Sequence, residues 1–219
     1  MAVASSAQER ASASDPLADG RARAARLGLA LGGGAWALVS LPLVAAEWSW
    51  PWVAQLSRLE PWSAMRASVA EPYVVFGALA GVSFLAIGLA LLPELRRAGW
   101  GGLVLLTAVL AGSVVSPLSY LGTAESSPLH GLWGAEGPLL VLVGLAGVAA
   151  AVTARGWPRA LRALLAATLL VLVAGTLALG YYPHGPLVAL ALEAAVVVLA
   201  APRRADGAPE RARPAAAVN

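Results

Sequence analysis

Six long apolar stretches separated by short polar gaps occupy most of the chain between Leu27 and Ala201. They cover residues 27–46, 72–92, 101–120, 138–154, 163–182 and 186–201, and the one charged residue inside them is Glu193. A helix needs about 20 apolar residues to cross the hydrocarbon core of a bilayer. The pattern therefore predicts an all-α, polytopic membrane protein, a bundle of six transmembrane helices. The gap at residues 47–71 is the longest and mixes Trp48, Trp50, Trp52 and Trp62 with Val53, Leu56, Leu59 and Met65. Because Trp rings favour the headgroup level, this loop is expected to hold a short interfacial helix, acting as an aromatic belt or as a lid over an outward pocket. Residues 1–26 and 202–219 are rich in Ala, Ser, Asp, Pro and Arg and poor in core-forming side chains. They are expected to be disordered cytoplasmic tails.

The distribution of charge orients this layout. All fifteen basic residues are Arg. Thirteen of them, among them Arg21, Arg23, Arg26, Arg96, Arg97, Arg155, Arg159 and Arg162, fall in the tails and in the second and fourth gaps, whereas the other gaps hold only Arg58 and Arg66. By the positive-inside rule both termini lie in the cytoplasm and three hairpins open outward, in the inner membrane of a cell. The net charge of +3 is therefore explained by topology, and no nucleic-acid partner is expected. The outward gaps also carry Glu47, Glu60, Glu71, Glu125 and Glu136, an acidic rim. The first span is preceded by Arg, as in a secretory signal, but its apolar run is longer than a signal core and ends in Trp-rich sequence.

Composition narrows the chemistry. The chain is 59% hydrophobic and 12% charged, too apolar for a soluble domain of 219 residues. With no Cys and no Lys, it has no disulfide, thiolate chemistry or lysine Schiff base. Gly32-Gly33-Gly34 lies inside a span and lacks the Lys and Ser/Thr of a phosphate loop. No cofactor, metal site or catalytic residue is expected, and the reading leans away from an enzyme.

Glu193 is the strongest functional pointer, because a carboxylate near the middle of a span costs on the order of 3 kcal/mol on insertion scales and so faces the bundle or a wet cavity. It serves as a proton relay, a ligand contact or a cation site, or else as a neutral carboxyl bonded to Thr168, Thr176, Ser113 or Ser116. Further binding or relay candidates gather in the outward loops: His130, His184, Tyr182, Glu71, Glu136 and Trp133. Imidazole and carboxylate together suit zinc, but no helical His spacing supports a metal, and the histidines read as hydrogen-bonded turn residues.

Internal similarity is visible between hairpins. Pro72, Pro138 and Pro186 open alternate spans, Leu79-Ala80-Gly81 matches Leu145-Ala146-Gly147 in register, Ala111-Gly112-Ser113 resembles Ala174-Gly175-Thr176, and His130-Gly131 parallels His184-Gly185. A repeated helical hairpin and chance matching in Ala-rich sequence both account for this. Gly28, Gly32, Gly33, Gly34, Gly77, Gly81, Gly88, Gly144 and Gly147 provide faces for close helix packing, for a homo-oligomer or for a protein partner.

The second span ends Leu91-Leu92-Pro93-Glu94-Leu95-Arg96-Arg97, the third runs into Ser116-Pro117, Pro128-Leu129-His130 precedes the fourth, and the sixth carries an acidic residue. With the long first outer loop, this order resembles an uncharacterised family of six-helix prokaryotic membrane proteins known only as a domain of unknown function. The resemblance covers residues 26–204 and implies a fold but no activity. In size and outer loop the chain is also similar to substrate-binding subunits of energy-coupling-factor vitamin transporters, with Ala30, Gly34 and Leu38 as a loose counterpart of their small-residue contact face. It lacks the paired Asn-Pro-Ala motif of aquaporins. The expected function is that of an interaction or small-molecule/lipid-binding membrane component. The alternative is a transporter or transporter subunit using Glu193, and a lipid-active enzyme ranks third.

Overall fold

All regular elements among the described residues are helices. The computed structural model describes residues 16–39, 50–56, 58–181 and 184–202. Their order is α1 (Pro16–Val39), α2 (Pro51–Leu56), α3 (Trp62–Ser68), α4 (Pro72–Arg97), α5 (Trp100–Leu121), a 3₁₀ turn (His130–Leu132), α6 (Glu136–Thr153), α7 (Arg159–Ala166), α8 (Thr168–Leu179) and α9 (Gly185–Ala200). Three stretches, Pro72–Arg97, Trp100–Leu121 and His130–Thr153, are long and apolar enough to cross a membrane. The pair α7 and α8 makes a fourth if it acts as one span, and α9 is apolar but shorter.

Two expectations differ from the structure, at the start of α1 and within the fifth span, and a third falls on residues outside those described. Helix α1 starts at Pro16, so 16–26, expected to belong to a disordered tail, is helical. Pro presets φ for a first helical turn, and the Ala, Leu and Arg that follow are good helix formers. The expected first span is seen only as far as Val39, since residues 40–49, with Glu47 and Trp48, lie outside the described residues. The expected fifth span, 163–182, is broken: α7 and α8 meet at 61°. At the break the Thr168 hydroxyl reaches back to the Leu165 carbonyl at 2.7 Å, the kind of side-chain insertion that bends a helix.

The helices pack in an order that closes on itself. α4 lies against α5, α5 against α6, α6 against α7 and α8, α8 against α9, and α9 against α1 and α4, while α1 also meets α4. Phe84, Ile87, Leu95, Val109, Val143 and Leu187 are buried between them. The outer surfaces stay apolar, with Leu85, Leu142, Leu170, Leu177 and Leu192 all exposed. So much exposed apolar surface suits lipid and not water. Glycines allow close approaches between helices, two of them at Gly112 and Gly185. A Cβ on Gly112 would stand 2.4 Å from the Phe84 ring, and one on Gly185 would stand 2.2 Å from the Gly175 carbonyl oxygen. Lipid gives no hydrophobic drive for helices to associate, so such contacts carry the packing.

The matched hairpin segments are not packed alike. Gly112 meets the helix before its own, α4, whereas Gly175 meets the helix after its own, α9. His130 is exposed and its Nδ1 lies 3.0 Å from the Gly122 carbonyl, whereas His184 is fully buried. Between α1 and α4 the described residues form two short helices, α2 and α3. Trp50 and Trp52 are exposed and Val53 is buried, and Met65 and Val69 rest on the buried pair Phe76 and Tyr120.

Candidate functional site

Among the described residues three carboxylates are buried in this apolar bundle, each held by a different set of helices. They are Glu136 at the start of α6, Glu193 within α9 and Glu94 near the end of α4. Each has its own chemistry.

Glu136 is 1% exposed, although by position it belonged to the solvated outer rim. Its Oε1 accepts the Ser116 hydroxyl at 2.8 Å and its Oε2 accepts the Tyr181 hydroxyl at 3.1 Å. Two O–H donors on the two oxygens suit the ionised form. The Nδ1 of His184 lies 3.5 Å from Oε1, within ion-pair range but long for a hydrogen bond. His184 stands in the turn before α9 with φ 55°, a left-handed conformation that costs a non-glycine residue on the order of 1–3 kcal/mol. The turn is closed by His184 N–H donating to the Tyr181 carbonyl at 2.6 Å and Gly185 N–H donating to the Gly180 carbonyl at 3.0 Å. This geometry carries the imidazole inward, where it stacks on Phe76 with centroids 3.8 Å apart. Neither ring nitrogen makes a well-formed hydrogen bond with a described residue. Burial lowers the His184 pKa, and the nearby Glu136 carboxylate pulls it the other way.

An aromatic cover closes this group. Tyr120 meets His184 and Trp133 edge-on, with centroids 6.0 and 5.7 Å away, and Trp133 meets Tyr73 at 6.4 Å. Met65 and Val69, from the segment before α4, lie on the Phe76–Tyr120 part of the cover. That segment thus sits over a buried ionisable pair.

Glu193, 5% exposed, points into the bundle. Thr168 Oγ1 lies 2.8 Å from its Oε1 and 2.7 Å from the Leu165 carbonyl. A hydroxyl has one hydrogen, so both contacts are hydrogen bonds only when the carboxyl supplies one of the protons. The second carboxyl oxygen has no partner among the described residues, and a void of about 10 Å³, lined by Leu105, Val109, Thr168 and Leu190 among others, adjoins the side chain. That volume is about the least that holds one water.

Glu94 was not among the residues singled out in the sequence. It is 1% exposed, bonded by Arg26 of α1 through Nη1 and by Arg97 through Nη2 at 3.3 Å. Arg97 also caps its own helix, its Nε donating to the Pro93 carbonyl at 2.9 Å. Arg23 donates to the Ala201 carbonyl at 3.3 Å, so the arginines of α1 hold both α4 and the end of α9.

The structure thus brings together Glu136, His184 and, through Tyr120, Trp133. It leaves the other candidates apart. His130 is a turn residue, Glu71 is exposed ahead of α4 without capping it, Tyr182 lies outside the described residues, and Glu193 is nine residues, about 13 Å of helix, from His184. Ser116, Tyr181 and Phe76 complete the outer group. Among the described residues no three His, Cys, Asp or Glu side chains come together to hold a metal ion.

These features define a class: an all-helical bundle with membrane-type apolar helices and ionisable side chains sealed inside it. No family model, curated protein or solved structure matches the chain.

Proposed function

We propose that the chain is a six-span integral protein of the inner membrane, with both termini in the cytoplasm, working as a proton-linked transport component whose proton-accepting centre is the Glu136–His184 pair. The six spans are α1, α4, α5, α6, the bent α7–α8 pair and α9. The closed packing order and the thirteen-to-two split of Arg support this topology.

The observation that carries the reading is the setting of Glu136: a buried carboxylate bonded by two hydroxyls, with an imidazole at 3.5 Å. Ionisable groups inside a membrane bundle are costly and mark proton or ion pathways. A proton arriving at this pair binds His184 Nδ1 or Glu136 Oε1 and cancels the buried charge. Glu193 provides a further carboxyl deeper in the bundle. The test is proton flux into liposomes containing the whole chain, read with an entrapped pH dye under an imposed potential. Wild-type liposomes should acidify faster than empty ones, and Glu136→Gln should slow this about tenfold or more. Equal rates for the two proteins, or no flux above empty liposomes, would overturn the reading.

A second reading, an interaction component, is favoured by one feature of α1. Nothing lies within 4 Å of a Cβ placed on Gly28 or Gly32, whereas Gly33 packs on Ile87 and Gly34 on Ala191. Two open glycines four residues apart are the pattern by which membrane helices pair.

A further inference from the structure

At the junction of α6 and α7 an open groove is lined by Val148, Ala151 and Val152 from one helix and by Arg162, Ala163 and Ala166 from the other. Its open volume is about 290 Å³, at the small end of ligand clefts, which run from about 300 to 1,000 Å³. Five of the six lining residues are apolar and the sixth is Arg162. Its Nε donates to the Ala151 carbonyl at 2.8 Å. Ala151 lies in the last turn of α6, where carbonyls have no partner in their own helix, so this bond ties the guanidinium to the groove wall. The other N–H donors of Arg162 bond no other described residue and remain for a ligand.

The surroundings match an anionic amphiphile. Helix α7 is amphipathic: Leu161 and Leu165 are buried against the bundle while Arg159 is exposed. Arg155 is exposed in the preceding turn, and Trp157 of that turn packs on the core. A short amphipathic helix with buried Leu and flanking Arg and Trp, set at 61° to α8, fits the interfacial end of the bent α7–α8 span. An apolar groove beneath several arginines at this depth takes one acyl chain, with its phosphate beside Arg162.

We propose that the α6–α7 groove is a binding site for an anionic phospholipid of the bilayer, its chain against Val148, Ala151, Val152, Ala163 and Ala166 and its phosphate on Arg162. The site is separate from the Glu136–His184 pair and does not depend on the role of that pair.

The test uses the delipidated full chain in detergent, titrated with phosphatidylglycerol, phosphatidylcholine or inorganic phosphate, with bound adducts counted by native mass spectrometry. Wild type should bind one phosphatidylglycerol at least tenfold more tightly than phosphatidylcholine, and inorganic phosphate should not displace it. Arg162→Gln should weaken phosphatidylglycerol about tenfold and bring the two lipids level. Ala163→Leu fills the groove from an exposed position, so it keeps the fold and should also lower occupancy about tenfold. Arg58→Gln, exposed between α2 and α3 and away from the groove, should leave the single adduct in place. Equal binding of the two lipids by wild type, displacement by inorganic phosphate, or unchanged binding in Ala163→Leu would each overturn the proposal.

Discussion

The imidazole of His184 lies nearly parallel to the ring of Phe76, with centroids 3.8 Å apart and planes at 16°. This contact joins the turn before α9 to α4. It shields one face of the only histidine buried among the described residues, while Tyr120 closes the edge. The imidazole is thereby cut off from water and held beside a carboxylate.

Acid should therefore loosen the fold. Burial lowers the His184 pKa below its ordinary value of 6.5, so the unfolded chain takes up this proton first as pH falls. The folded state binds fewer protons in that window, and its stability declines from about pH 6.5 downward through the folded pKa. Thermal melts of the detergent-solubilised protein should show a midpoint lower at pH 5 than at pH 7. His184→Asn keeps a residue suited to positive φ but removes the titrating ring, so its midpoint should change less over this range. A wild-type midpoint that rises on acidification would mean that pairing of the charged imidazole with Glu136 outweighs burial.

Glu193 gives a prediction from hydrogen-bond arithmetic. If its carboxyl donates to Thr168, Glu193→Gln retains both a donor and an acceptor there and should be mild. Glu193→Ala removes the bond and leaves a cavity, at about 2 kcal/mol. At about 2–4 °C per kcal/mol for a chain of this size, that lowers the melting midpoint by about 4–8 °C. Equal losses in the two variants would show that the site holds an ionised carboxylate.

Topology can be read by labelling. Ser126 and Gly156 are exposed at turns that the positive-inside rule puts on opposite sides of the membrane. The chain has no native Cys, so Ser126→Cys and Gly156→Cys each report alone. In intact cells an impermeant thiol reagent should label the first and spare the second. The reverse pattern would invert the orientation.

Much of the helix layout was legible because hydropathy is a one-dimensional signal. The expected 72–92 and 101–120 became Pro72–Arg97 and Trp100–Leu121, with helix continuing past the apolar run. That extension is why Glu94 was passed over: it sits two residues beyond the last apolar position, next to Arg96 and Arg97, and reads as loop. Its spacing of three from Arg97 was the available clue, since such residues share a helix face. Pairing with Arg26 was not legible, because the two are 68 positions apart.

Glu136 and His184 were both singled out, yet nothing in the sequence placed them side by side. Their meeting depends on a left-handed turn at a histidine and on the way α9 packs. The bend at Thr168 was hidden for a similar reason. Residues 163–182 are continuously apolar, with neither Pro nor charge to mark a break, and a Thr hydroxyl that turns to a carbonyl three residues back leaves no mark in hydropathy.

The contact of α9 with α1 has a consequence for biogenesis. A ribosome delivers α1 before α4–α8 and α9 after them, so α1 waits while those helices are made for the neighbour that completes its packing. Until then the α9-facing side of α1, including Gly34, which meets Ala191, has only lipid or insertion machinery to cover it. Chains released before α9 emerges are thus the ones that quality-control proteases will find open at α1.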